Sequence, residues 1–166
     1  RHLNEDVLNS APWLQVHVED AFQYVRRSQK KYDLVLIDFP FPISYDLSLL
    51  YTKEFYTFVH RLLTSDGVII LDFPGIDQQP EDYHRVILHT LVAAGFQQPY
   101  AFGAEEMFVA ATRENREIKL NLKALQGQVD DLTFANLKDF SKEVKEILSR
   151  PSPVKINSVF SPKVLV

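Results

Sequence analysis

The chain has 166 residues, 46% of them hydrophobic and 24% charged, with no cysteine and a formal net charge of −4. That length suits one folded domain with a sizeable core, and 12 Phe and 7 Tyr argue against disorder. The absence of thiols excludes disulfides, thiol nucleophiles and thiolate metal sites, while the acidic balance disfavours a nucleic-acid surface and admits a cationic ligand.

Leu14-Gln-Val-His-Val-Glu-Asp-Ala21 alternates apolar and polar residues, which predicts a short strand ending at Asp20. Ala21 to Gln29 carries Phe22, Val25 and basic residues near its end, the pattern of a short helix. Tyr32 to Asp38 is a near-continuous apolar run, as in a parallel strand covered on both faces, and Pro40 and Pro42 end it. Apolar residues at 47, 50, 51, 55, 58, 59 and 62 predict one amphipathic helix from Leu47 to Leu63. Ser65-Asp66-Gly67 reads as a turn into a second buried strand, Val68 to Asp72. Pro80 opens a further helix whose apolar face is Tyr83, Val86, Ile87, Leu91 and Val92, with Gly95 at its C-cap.

Strands are expected at Gln98–Phe102 and Met107–Ala111, paired as an antiparallel hairpin. Residues 114–131 are polar and read as a linker or surface segment. Leu137, Phe140, Val144, Ile147 and Leu148 mark a last helix, stopped by Pro151 and Pro153, and the tail lies along the domain surface. Alternating strands and helices with apolar strands predict an α/β parallel sheet. No apolar run approaches the ~18 residues of a membrane span, and Arg1 to Asp6 lacks a signal-peptide core.

In open parallel sheets ligands sit outside the carboxyl ends of the strands, and three predicted strands end there in an acid: Asp20, Asp38 and Asp72. One such Asp is as readily a helix cap or turn former; three at successive strand ends point to a site. Asp46 sits at a helix start, where a cap is the simpler role. His2, His17, His60, His84 and His89 lack metal-ligand spacing, and Ser44, Ser48 and Ser65 lack the glycine setting of a nucleophile elbow. Tyr45, Tyr51, Phe55, Tyr56 and Phe58 read first as core. Trp13 reads as a packing staple or an exposed ring.

The segment Ile37-Asp-Phe-Pro-Phe-Pro42, followed by Leu50-Tyr-Thr-Lys-Glu-Phe-Tyr56, resembles the polyamine aminopropyltransferase (spermidine synthase) family. There a strand ends in Asp-x-x-Asp-Pro, and a helix then begins Leu-Tyr/Phe-x-x-Glu-Phe-Tyr. His17-Val-Glu-Asp-Ala-Phe22 is similar to the family's segment in which an Asp-Ala pair meets adenine. Arg1 to Asn4 and Ile156 to Pro162 are similar to flanks of a bacterial branch, some of whose members carry membrane spans upstream. The likeness thus runs over nearly the whole chain.

The resemblance implies the fold class α/β: a partial Rossmann-like (class I methyltransferase-type) sheet over 1–113, with a linker, helix and tail at 114–166 packed on it as a C-terminal helical extension. It implies a cytoplasmic transferase of polyamine biosynthesis. No cofactor is tightly bound; decarboxylated S-adenosylmethionine is the cosubstrate, and the partners are a polyamine such as putrescine and that nucleoside. Asp38 is then the catalytic carboxylate, Asp20 and Ala21 the adenine contacts, and Asp72 and Tyr51 the amine-binding residues; no metal is involved.

The sequence departs from the family pattern at Phe41, where the second acid of Asp-x-x-Asp-Pro stands, and at Asp72, where glutamine is common. Asp72 is the acid placed to compensate. Of five glycines (67, 75, 95, 103, 127), none is spaced as a phosphate loop. The family's glycine-rich loop and ribose-binding acid would precede Arg1. The expectation is therefore a fragment: part of a parent chain, not active and a poor nucleoside binder by itself, with the 14–20 strand lacking its usual neighbours. That segment is expected to pair elsewhere, pack differently or meet a second copy in a homo-oligomer. Two other readings remain open: a non-catalytic binding or assembly domain descended from such enzymes, and a methyltransferase that uses S-adenosylmethionine itself.

Overall fold

A computed structural model describes residues 11–73, 81–103, 106–119, 121–128, 135–150 and 156–163. In chain order the elements are α1 (Ala21–Arg27), β1 (Tyr32–Ile37), α2 (Tyr45–Leu49), α3 (Lys53–Leu62), β2 (Leu63–Phe73), α4 (Glu81–Ala93), β3 (Gln97–Gly103), β4 (Met107–Thr112), α5 (Leu122–Leu125), β5 (Lys138–Asp139) and α6 (Ser141–Ser149). The strands form one sheet in the order β1-β2-β4-β3-β5. β1 runs parallel to β2, while β4 is antiparallel to both β2 and β3, so the expected hairpin is present.

The sheet buries one face far better than the other at its β1–β2 end. Ile37, Ile69, Leu71 and Phe73 point into a core shared with Phe55, Tyr56 and Val59 of α3 and Ile87, Leu88 and Leu91 of α4. Alternate residues look the opposite way, where Leu34 is 50% exposed and Leu36 68%. The apolar run of β1 had suggested cover on both faces; among the described residues it is covered on one.

The expected strand at 14–20 does not form. Residues 14–18 adopt no regular structure, Val16 and Val18 lie exposed, and Asp20 instead caps α1 by accepting the Gln23 N–H. An alternating pattern makes a strand only where a second strand satisfies its backbone, and none among the described residues pairs with it. The single helix expected from 47 to 63 is two. The chain breaks at residues 50–52, where Thr52 Oγ1 accepts the Phe55 N–H and starts α3 afresh. The expected turn at 65–67 lies inside β2, which continues directly from α3, and β1 slips against it between Tyr32 and Leu34.

Helix α4 ends as its sequence predicts. Gly95 takes φ of 105°, its N–H reaches Val92 O, and the Phe96 N–H reaches Leu91 O, closing a glycine C-cap with Phe96 buried. Pro80 and Gly75 lie outside the described residues. The last helix begins at Ser141, later than its apolar spacing suggested, and buries Val144 and Ile147.

Residues 156–163 lie back across the helical layer. Ser158 Oγ donates to one oxygen of Glu54, and the Val159 N–H donates to the other. Burial alone would raise the Glu54 pKa, but these hydrogen bonds, a backbone N–H and nearby Lys53 outweigh it and hold the carboxyl below its ordinary value of 4.5.

Three outcomes follow for the 166-residue chain. Leu71→Ala should cost about 2–5 kcal/mol in denaturant unfolding, through the cavity it leaves. Leu36→Ala on the open face should stay within about 0.5 kcal/mol. Because Glu54 binds its proton less readily folded than unfolded, its contribution is intact above pH 4.5 and declines as pH falls below that value. The stability gap between wild type and Glu54→Gln should therefore narrow from pH 6 to pH 3 in a thermal-melt series.

Candidate active site

Two of the three predicted acids are brought together by strand register. β1 and β2 align Ile37 with Leu71 as the last pair of their register, Asp38 and Asp72 are the next residue on each chain path, and the charges of both reach Tyr51. Neighbouring strands lie about 4.8 Å apart, and both carboxylates are exposed there. Two acids at neighbouring strand ends attract positive charge.

The chain leaves β1 through Asp38-Phe39-Pro40-Phe41-Pro42. The two prolines carry no N–H, so this turn has little backbone hydrogen bonding of its own beyond Ile43 N–H to Phe41 O, 2.8 Å. Tyr51 supplies a tether. Its buried hydroxyl donates to the carbonyls of Phe39, 3.2 Å, and Pro40, 3.0 Å. The Phe39 ring packs edge-on against Tyr51 and Phe55. Burial, then the neighbouring Tyr83, Asp72 and Asp38, push the Tyr51 pKa far up, so the phenol stays neutral. With its proton committed, the Tyr51 oxygen has only acceptor capacity left.

Tyr83, in the first turn of α4, belongs to the same neighbourhood. Burial and then the charge of Asp72 push its pKa up to about 12. Its hydroxyl oxygen is buried and has no hydrogen-bond partner among the described residues. Sequence periodicity assigned Tyr83 only to the apolar face of its helix. The signal that it neighbours Asp72 was its place in the first turn of the helix that follows that strand.

The remaining candidates separate from this pair. Asp20 Oδ1 accepts the Gln23 N–H at 2.7 Å, leaving the rest of the carboxylate exposed beside half-buried Ala21. Phe41 is 46% exposed. Asp46 lies in the first turn of α2, but Ser44 is that helix's cap, accepting the Leu47 N–H. His60 packs edge-on against Phe96 and contacts Arg113 O; burial lowers its pKa. Trp13 is exposed on the rim of a groove of about 440 Å³ along β1, with His17, Tyr24 and Leu34; the acids of the strand ends do not line it. Among the described residues no group of three or more His, Asp or Glu side chains could hold a metal, and no helix is long and apolar enough to cross a membrane.

The model of the spermine/spermidine synthase domain matches residues 1–101, a span that contains Asp20, Asp38, Tyr51 and Asp72 and stops short of Ile156–Pro162. Polyamine aminopropyltransferase 1 of Streptomyces coelicolor is 36% identical over 96 residues, 58% of this chain and 18% of that protein. The polyamine aminopropyltransferase of Pyrobaculum calidifontis is 34% identical over 80 residues, 46% of this chain and 28% of its own length. That of Oceanobacillus iheyensis is 37% identical over 75 residues, 43% of this chain and 14% of its own. The matches thus span between 14% and 28% of the length of these three relatives. With a mixed sheet of the Rossmann-like methyltransferase type and a family match over more than half its residues, this chain belongs to the spermine/spermidine synthase family.

Proposed function

We propose that this chain forms the amine-binding side of an aminopropyltransferase site, where an aminopropyl group passes from decarboxylated S-adenosylmethionine to an amine such as putrescine. The observation that supports this reading is the β1–β2 register, whose last pair, Ile37 with Leu71, immediately precedes Asp38 and Asp72. The printed names of the relatives, polyamine aminopropyltransferases, supply the reaction class.

In this reading the amine arrives as an ammonium, with a pKa near that of lysine at ~10.4, and is not nucleophilic until it loses a proton. Asp38 attracts the cation and accepts that proton. The nitrogen lone pair then attacks the carbon attached to the sulfonium. The C–N bond forms as the C–S bond breaks, and 5′-methylthioadenosine leaves as a neutral thioether. Alignment is the main task, because the sulfonium already activates the carbon. Asp72 supplies the second negative charge in place of an acid at Phe41. Tyr51 fixes the turn that follows Asp38 and offers a lone pair, and Tyr83 offers another acceptor to the amine's far end. Asp20 and Ala21 meet the adenine.

Incubation of the full-length protein with decarboxylated S-adenosylmethionine and putrescine should release 5′-methylthioadenosine. Asp38→Asn should lower kcat about 10²–10⁴-fold. Asp72→Asn should act mainly by raising the amine KM, with a smaller change in kcat. Absence of product with any polyamine overturns the reading and favours a non-catalytic binding or assembly domain, the alternative that Phe41 supports.

A further inference from the structure

Asn157 is fully buried and lies over the break between α2 and α3. Its Nδ2 donates to the carbonyls of Ser48, 3.1 Å, and Tyr51, 2.9 Å, and its Oδ1 accepts the Lys163 N–H at 2.7 Å. Its own N–H donates to Thr90 Oγ1 of α4 at 3.0 Å, and its carbonyl accepts the Lys53 N–H at 2.8 Å. One residue of the C-terminal segment therefore joins the end of α2, the start of α3 and the last turn of α4. Both carbonyls lie where α2 ends and α3 has not yet begun; Ser48 O also accepts the Tyr51 N–H at 3.2 Å, so the Asn157 amide adds to a helix end that is only partly closed by its own backbone.

The same connection continues toward the candidate site. Tyr51, held at its carbonyl by Asn157, holds Phe39 and Pro40 at their carbonyls by its hydroxyl. Those are the two residues that follow Asp38, in a turn that two prolines deprive of backbone donors. Glu54 anchors the other part of the segment through Ser158 and Val159, and Tyr45 Oη donates to Val159 O at 3.3 Å. The segment is thereby fixed on both sides of the α2–α3 break.

We propose that Asn157 is a positioning residue for Asp38: through Tyr51 it sets the path of the Phe39–Pro40 turn and so the direction of the Asp38 carboxylate. The functional part of this inference rests on the proposed role of Asp38 as the base; the mechanical part does not. Asn157 lies 119 positions beyond Asp38 and outside the matched 1–101 span, in a segment that touches neither β1 nor β2 in any hydrogen bond described above.

Two measurements separate these parts. The first is amide hydrogen exchange on the 166-residue chain, read at Phe39, Phe41 and Ile43. Asn157→Ala and Tyr51→Phe should each speed exchange at Ile43 by about tenfold. The double variant should add little beyond Tyr51→Phe there, because both act along one connection. Should the alanine variant not fold, Asn157→Asp keeps the size and the Oδ1 acceptor while removing both donors, and should act in the same direction. Unchanged exchange at Phe39, Phe41 and Ile43 in a folded Asn157 variant, or in Tyr51→Phe, overturns the proposal.

The second measurement is transfer by the full-length protein. There an Asn157 variant should lose about ten- to a hundredfold in kcat with the nucleoside KM unchanged. An equal loss in every kinetic constant, or none, overturns the positioning role. Absence of transfer by the wild type, with exchange coupling intact, overturns Asp38 as the base while leaving Asn157 as the residue that holds its turn.

Discussion

The parallel pairing of β1 with β2 is the constraint on which the other features depend. Side chains alternate along a strand, so a slip of one residue would turn Ile37 out of the core and move Asp38 away from Asp72. Ile69, Leu71 and Phe73, each at most 1% exposed, leave that slip no tolerable alternative. Burial thus decides the position of two acids that are not themselves buried. The hydrophobic face fixes the register, and the register places the charges.

That face is also where the helices sit. α1 packs on α3 and α3 on α4, and the core they share lies on one side of β1 and β2. The opposite side keeps Leu34 and Leu36 exposed, so the chain's stability comes from a core that is deep but one-sided at this end. Toward β4 the sheet is better enclosed, with Ala110 and Ala111 both buried in the strand that pairs with β2. The candidate site therefore stands at the carboxyl edge between a well-packed layer beneath it and a face that the described residues leave open.

Features governed by local chemistry were legible in the sequence. Gly95 marks a helix end because that backbone conformation favours glycine, and the β3–β4 hairpin follows from two apolar runs close in sequence. The acids at 38 and 72 were visible as strand-end residues. What escaped was set by partners distant in sequence. Leu14, Val16 and Val18 alternate as a strand should, but alternation supplies no neighbour, and Asp20 found a cap instead. The apolar spacing from 47 to 62 is continuous, yet Thr52 restarts the helix and Asn157 takes up the carbonyls exposed by the break. An isolated asparagine in a mixed tail carries no periodic signal of that contact.

The chemistry of the edge follows from which protons are already committed. Tyr51 has given its hydroxyl proton to two main-chain carbonyls, so toward a ligand it presents lone pairs only. Asp38 and Asp72 are acceptors whenever ionised. In the proposed reading an ammonium offers N–H donors to these acceptors, whereas a neutral acceptor or an anion would find no donor among the three. Under the proposed function, this explains how the site tolerates Phe41 where relatives of the Asp-x-x-Asp-Pro pattern carry a second acid. Selectivity for a cation needs a set of acceptors at the right edge, and Asp72 enters that set from the neighbouring strand. The position that matters is then spatial rather than sequential, and it is held by the pairing of Ile37 with Leu71.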